Sequence, residues 1–249
     1  MASVEITVVY DNYPSNDKLR TGHGFSCIVK GFDKTILFDT GWSGRILLGN
    51  MQRLGLAPGD INVVVLSHMH WDHIGGLDAV LHENAQLTVH LPRSFSAHLK
   101  NEIQRSGATV VETEYAHTIC PGVRTTGVLT ADTIGEQALC VDTAEGTSVI
   151  TGCAHPGIVN ILRHTTEQLS ANVSMALGGF HLSGIGADHI RGVIAEFKNL
   201  NVRAVAPCHC SGDLARRLFK EAYAKNCYAV GVGWQLTLGK AKRKAPEIK

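Results

Sequence analysis

Short apolar runs rich in valine and isoleucine recur along the chain, each of strand length. The early ones are "VEITVVY" (4–10), "FSCIVKG" (25–31), "KTILFDTG" (34–41), "INVVVLS" (61–67) and "QLTVHLP" (86–92). Later come "QALCVDT" (137–143) and "TSVITGC" (147–153), joined through "AEG" as a hairpin, then "VSMALGG" (173–179), "VRAVAPC" (202–208) and "CYAVGVGWQLTL" (227–238). Between them the apolar spacing turns helical. Ile190, Val193, Ile194, Phe197 and Leu200 form one stripe over 186–200, and Leu214, Leu218, Phe219 and Ala222 another over 211–226. Weaker helical patterns cover 45–54, 74–83, 94–106 and 157–169. Strands dominate early and alternate with helices later, with no Pro- or Ser-rich linker. The expected architecture is one α/β domain over 1–249, two mixed sheets packed face to face with helices outside. The tail "GKAKRKAPEIK" (239–249) is polar and basic and reads as a solvated end.

Composition narrows the partners more than the fold. The formal charge is +1, so no strong field draws nucleic acid or an anionic membrane, and a small-molecule substrate is expected. Seven cysteines at irregular spacing argue for reduced thiols in the cytoplasm rather than a disulfide framework. The N-terminus "MASVEITVVY" lacks a secretory pattern, and no apolar run approaches the ~20 residues of a membrane span.

Thirteen histidines stand out, and the stretch "SHMHWDHIGG" (67–76) gathers His68, His70, Asp72 and His73 in six positions. The preceding run is apolar throughout, as for a strand buried on both faces, so the cluster sits at a strand's carboxyl end. In extended chain His68 and His70 point the same way. Imidazole and carboxylate donors suit a borderline cation such as zinc, and four of them this close suggest two ions.

"SHMHWDHIGG" resembles the H-x-H-x-D-H signature of the metallo-β-lactamase fold superfamily, and "ILFDTGW" resembles that family's second strand. The resemblance implies an αββα sandwich. It implies His68 and His70 on a first metal, Asp72 and His73 on a second, and Asp39 behind the ligands as an orienting carboxylate. The family's bridging aspartate is missing. His155 in "TGCAHPGI", His181 in "LGGFHLSG" and His209 in "CHCSG" are the remaining ligand candidates, and these segments, with "TGHGFSCIVKG", resemble the branch named for dihydropterin–ribofuranosylaminobenzene phosphate synthase. The implied activity is a zinc-dependent hydrolase or related transferase acting on a small phosphate- or ester-bearing metabolite, a pterin-pathway step being the specific version. Asp72 would orient the attacking water and His181 donate a proton. Alternatives are lactam or lactone ring hydrolysis and a non-catalytic metal-binding protein; a di-iron redox protein would carry Glu where His70 stands. Without the bridging carboxylate, the second ion is expected to be the weaker.

Alternation places Cys208 and Cys210 away from the side of His209, as packing residues, and leaves Cys153 a minor ligand candidate. His23 and Trp42 could face the pocket. His82, His90, His98, His117, His164 and His189 lack motif context. The loops 11–24 and 115–127 are expected to cover the site, with Lys18, Arg20 and Arg124 as possible anion contacts.

Overall fold

The computed structural model describes residues 3–131 and 134–240. The first half of the chain forms β1 (Ser3–Tyr10), β2 (Ser26–Lys30), β3 (Ile36–Phe38), α1 (Gly44–Arg53), β4 (Val63–Val65), α2 (Trp71–Ile74), α3 (Leu77–Glu83), β5 (Thr88–Pro92), α4 (Ala97–Arg105) and β6 (Thr109–Thr113). The second half forms β7 (Thr118–Cys120), β8 (Val123–Thr125), β9 (Leu129–Ala131), β10 (Ile134–Glu136), β11 (Leu139–Thr143), β12 (Gly146–Thr151), α5 (Ile158–Glu167), β13 (Val173–Gly179), α6 (Ala187–Asn199), β14 (Ala204–Cys208), α7 (Asp213–Tyr223) and β15 (Gln235–Lys240). One sheet has the order β15-β1-β2-β3-β4-β5-β6 and the other β14-β13-β12-β11-β8-β7, while β9 and β10 pair separately. Both sheets are mixed, with β3 to β6 parallel in one and β12 to β14 parallel in the other.

The valine run shows why the sequence forms these layers. Val63 and Val65 point into the core between the sheets, while Val64 points out under the helices α1, α3 and α4. A strand covered on both faces has no polar side to show. The other sheet repeats the arrangement, with Leu177 facing the inter-sheet core and Ala176 packed beneath α5, α6 and α7. The result is the expected αββα sandwich. Among the described residues no helix is long and apolar enough to cross a membrane.

Three expectations fail locally. Residues 115–127 are not a covering loop: β7 and β8 run through them at the edge of the second sheet. Arg124 is therefore buried and ion-paired with Asp142 at 3.0 Å, out of reach of any ligand. The last strand begins only at Gln235 and runs through Gly239 to Lys240, which pairs with Ser3, so the first two residues assigned to the tail belong to the sheet. The remainder of the tail lies outside the described residues.

His90 lies on β5 with its side chain opposite to Val89 and Leu91, and its ring meets His117 at 5.2 Å. Burial, helped by His117 and Lys34, depresses its pKa to about 4. The folded state thus refuses a proton that the unfolded chain accepts below about 6.5. This cost is absent above that pH, grows as pH falls toward about 4, and then stays constant, reaching on the order of 3 kcal/mol. His90→Phe is expected to be increasingly more stable than the parent through that window, read as the difference between their unfolding midpoints. A difference that does not vary with pH would contradict this.

Candidate metal centre

All the candidate residues gather at one end of the sandwich, where parallel strands of both sheets finish. Asp39 follows β3, and Ser67 to His70 follow β4; Cys153 to His155 follow β12, His181 follows β13 and His209 follows β14. Asp72 and His73 sit in α2, a single helical turn begun at the His70 backbone. The site is therefore built from both halves of the chain.

Two donor groups converge. In the first, His68, His70 and His155 present ring nitrogens within 4.8 Å of one another. His68 Nε2 lies 3.1 Å from His70 Nδ1, and the His155 ring is 4.6 Å and 4.8 Å from those of His68 and His70. In the second, Asp72, His73 and His209 are joined by Cys153. Its Sγ stands 3.2 Å from His73 Nε2 and 3.3 Å from His209 Nε2. Asp72 Oδ2 is 3.4 Å from His73 Nε2 and 3.3 Å from His209 Nε2. Cys153 thus belongs to the second group and also approaches His155 of the first, in a chain that lacks the bridging aspartate. His181 reaches a third grouping with Cys153 and His155, its ring 4.6 Å from that of His155.

The far nitrogen of each buried imidazole is held. His73 Nδ1 donates to Asp39 Oδ2 at 2.6 Å, His155 Nδ1 to Glu136 Oε2 at 2.9 Å, and His209 Nδ1 to Asn12 Oδ1 at 3.0 Å. Ser67 Oγ donates to Asp39 Oδ2, so it accepts from His68 Nδ1 at 2.8 Å. These bonds put the proton on Nδ1 in all four rings and leave Nε2 as a lone-pair donor pointing inward. Gly152 makes room for the Asp39–Ser67 contact, since a Cβ there would collide with Ser67 Oγ.

Electrostatics point the same way. Burial drives the His68 pKa well down, keeping that ring a neutral donor. Burial also opposes charge on His73, but the Asp39 and Asp72 carboxylates outweigh it and raise its pKa to about 10. Asp72 is pushed up by burial, yet hydrogen bonds from His209 and His73 hold it well below the usual carboxylate range. Buried Glu136 is likewise held low by His155, His68 and backbone N–H groups of Cys153, Ala154 and His155. Such a pocket favours positive charge. A cation held there would displace the His73 proton, as metal binding to protonated ligands does.

Asp39, Ala154, His181 and His209 have φ of 54°, 62°, 53° and 48°, a left-handed conformation unusual outside glycine. It turns each chain sharply at its strand end, which brings His181 and His209 into the donor groups and sets Asp39 behind His73. The same turn after β14 upsets the simple alternation rule. Cys208 does pack in the core, but Cys210 does not face away. Its Sγ lies 3.5 Å from the Cys153 carbonyl, and its hydrogen bond to His181 is the main cause raising the His181 pKa. His23 does reach the site, its Nε2 3.3 Å from Asp72 Oδ2, and Trp42 stands exposed beside it with ring centroids 6.1 Å apart. Glu136 and Asn12, which hold the far nitrogens of His155 and His209, are positions that sequence reasoning missed.

The metallo-beta-lactamase superfamily model matches residues 19–195. The chain is 26% identical to 7,8-dihydropterin-6-methyl-4-(beta-D-ribofuranosyl)-aminobenzene-5'-phosphate synthase of Methanocaldococcus jannaschii, over 90% of this chain and 93% of that protein. The solved structure of Tm1679, described as a metal-dependent hydrolase of the beta-lactamase superfamily, superposes with a TM-score of 0.79 at 30% identity, covering 95% of this chain and all of that one. The YhfI metallo-beta-lactamase fold protein from Bacillus subtilis shares the fold at a TM-score of 0.70 and 14% identity, over 94% and 99% of the two chains. With this match, the αββα sandwich and the two convergent donor groups at its end, the chain belongs to the metallo-beta-lactamase superfamily.

Proposed function

We propose that the protein is a metal-dependent enzyme that cleaves or transfers a phosphoryl or acyl group on a small metabolite. It would work in the cytoplasm, with zinc as its resident ion and two ions at full loading. The observation that carries this reading is the pair of donor groups whose buried rings are locked with Nε2 inward. His68, His70 and His155 would hold one ion; Asp72, His73, His209 and Cys153 would hold the other. Imidazole, carboxylate and thiol donors fit a borderline cation. When bound, the ions supply Lewis acidity toward a phosphoryl or carbonyl oxygen and acidify water.

Three protein donors is the count of a catalytic zinc site and four that of a closed one. The second group is therefore the firmer, against the expectation drawn from the missing aspartate, because Cys153 restores the negative charge. A hydrogen bond to Cys210, with burial, raises the Cys153 thiol well above its usual pKa. Coordination overrides both, since a coordinating thiol is deprotonated outright. The other side chains orient and move protons. Ionised Asp72, facing His23 as well as its own group, is placed to orient a nucleophile. His181, exposed beside His155, is placed to protonate a leaving group.

The synthase relative supports a phosphate-bearing, pterin-type substrate and group transfer, and the Tm1679 likeness supports hydrolysis. Zinc-loaded protein is expected to turn over bis(4-nitrophenyl) phosphate and to leave a chromogenic β-lactam intact. Elemental analysis showing no bound transition metal after reconstitution would overturn the proposal. So would β-lactam turnover at ~10⁴ M⁻¹s⁻¹ or more with the phosphodiester inert.

A further inference from the structure

A cavity of about 510 Å³ opens between α5 and α6 and includes His155 and His181 in its lining. Its volume falls within the range of small-molecule sites. One face of α6 forms a wall: His189, Gly192, Val193 and Glu196 follow the i, i+3, i+4, i+7 spacing of a single helical face. Ile158, Phe180, Leu182 and Ile185 supply apolar surface around it. The lining is thus apolar with a few polar groups, among them Asn160, His189 and Glu196.

Gly192 is the unusual member. It lies in the interior of α6, where glycine is among the poorest helix formers. An added Cβ would meet nothing within 4 Å. No close packing requires a glycine here; what its missing side chain leaves is open space on the cavity wall.

We propose that this cavity holds a planar aromatic or heteroaromatic ring of the substrate, with the reacting phosphate or ester at His155 and His181, and that Gly192 is the specificity-determining residue that keeps the slot open. Apolar walls cover the faces of a ring, and its hydrogen-bonding edge can meet His189, the Oδ1 of Asn160, whose Nδ2 donates to the Pro156 carbonyl, and the remaining lone pairs of Glu196, which already accepts from Arg163 and Asn199. A flexible saturated chain gives up more conformational freedom than a rigid plane to lie against the same walls. This inference rests on the reading of the histidine groups as the reaction centre.

Calorimetry on the zinc-loaded protein with three unreactive anions sharing one headgroup tests it: methylphosphonate, 1-naphthylphosphonate and octylphosphonate. The naphthyl ligand is expected to bind at least tenfold more tightly than methylphosphonate. Gly192→Leu should erase that gain without changing metal content or methylphosphonate affinity. Ile185→Glu, a change at an exposed loop position, should weaken the naphthyl ligand in the same selective way. An unchanged naphthyl gain in both variants, or an equal gain from the octyl chain, overturns the inference. If methylphosphonate does not bind while 1-naphthol binds in a Gly192-dependent manner, the ring slot stands and the phosphoryl reading falls.

Discussion

His70→Ala is expected to strip one metal equivalent and lower phosphodiesterase kcat/KM by ~10³-fold or more. The estimate follows from losing a charge-stabilising interaction of several kcal/mol in the transition state, at 1.36 kcal/mol per tenfold. His70 is a cleaner test than its partner. His68 is fully buried against the core, so its truncation mixes cavity formation with ligand loss, whereas His70 is exposed and its removal leaves packing intact. The unfolding midpoint of the metal-free protein should barely move. Retention of both equivalents in His70→Ala, with activity unchanged, would remove the three-histidine group from the chemistry.

Cys153→Ser should have the second large effect, on the other ion. In cobalt-loaded protein, the parent should show a near-ultraviolet thiolate-to-cobalt charge-transfer band that Cys153→Ser loses and Cys210→Ser keeps. The serine variant should also hold its second equivalent at least ~10²-fold more weakly, more than the ~10–100-fold typical of losing a mere supporting partner. Cys153→Asp should recover the second equivalent without the band. A band that survives Cys153→Ser and disappears in Cys210→Ser would assign the thiolate to Cys210 and displace this account of the second group.

The candidate site was legible in proportion to how local it is. His68, His70, Asp72 and His73 are read together because one strand end and one helical turn place all four. His155, His181 and His209 were found one at a time, because each follows a buried strand among small residues. Asn12 left no such trace, since its bond to His209 spans 197 positions and an asparagine in a loop is unremarkable. Glu136 was hidden for a different reason. It is a buried carboxylate whose partners are mostly backbone N–H groups seventeen to nineteen positions onward, and no side-chain pattern reports them. The fold follows the same rule. The continuous apolar runs at 61–67 and 173–179 announced β4 and β13, whereas β7 to β10 are three-residue strands of mixed apolar and polar residues with no periodicity to detect. Cys210 shows the limit of alternation, which holds along β14 and ends where the chain tightens into a single 3-10 turn at His209–Ser211.

The donors of the second group come from both halves of the chain: Asp72 and His73 belong to the first sheet's connections, Cys153 and His209 to the second's. A cation held by all four would act as a removable cross-link between the two layers. It would be present only when the sandwich is closed, and so would bind the native state and not the unfolded chain. At a free ion concentration a thousandfold above its dissociation constant, such selective binding is worth ~4 kcal/mol to the folded protein. The supply of metal would then set the lifetime of the fold as well as the rate of the reaction, and a cell short of the ion would lose the protein together with its activity.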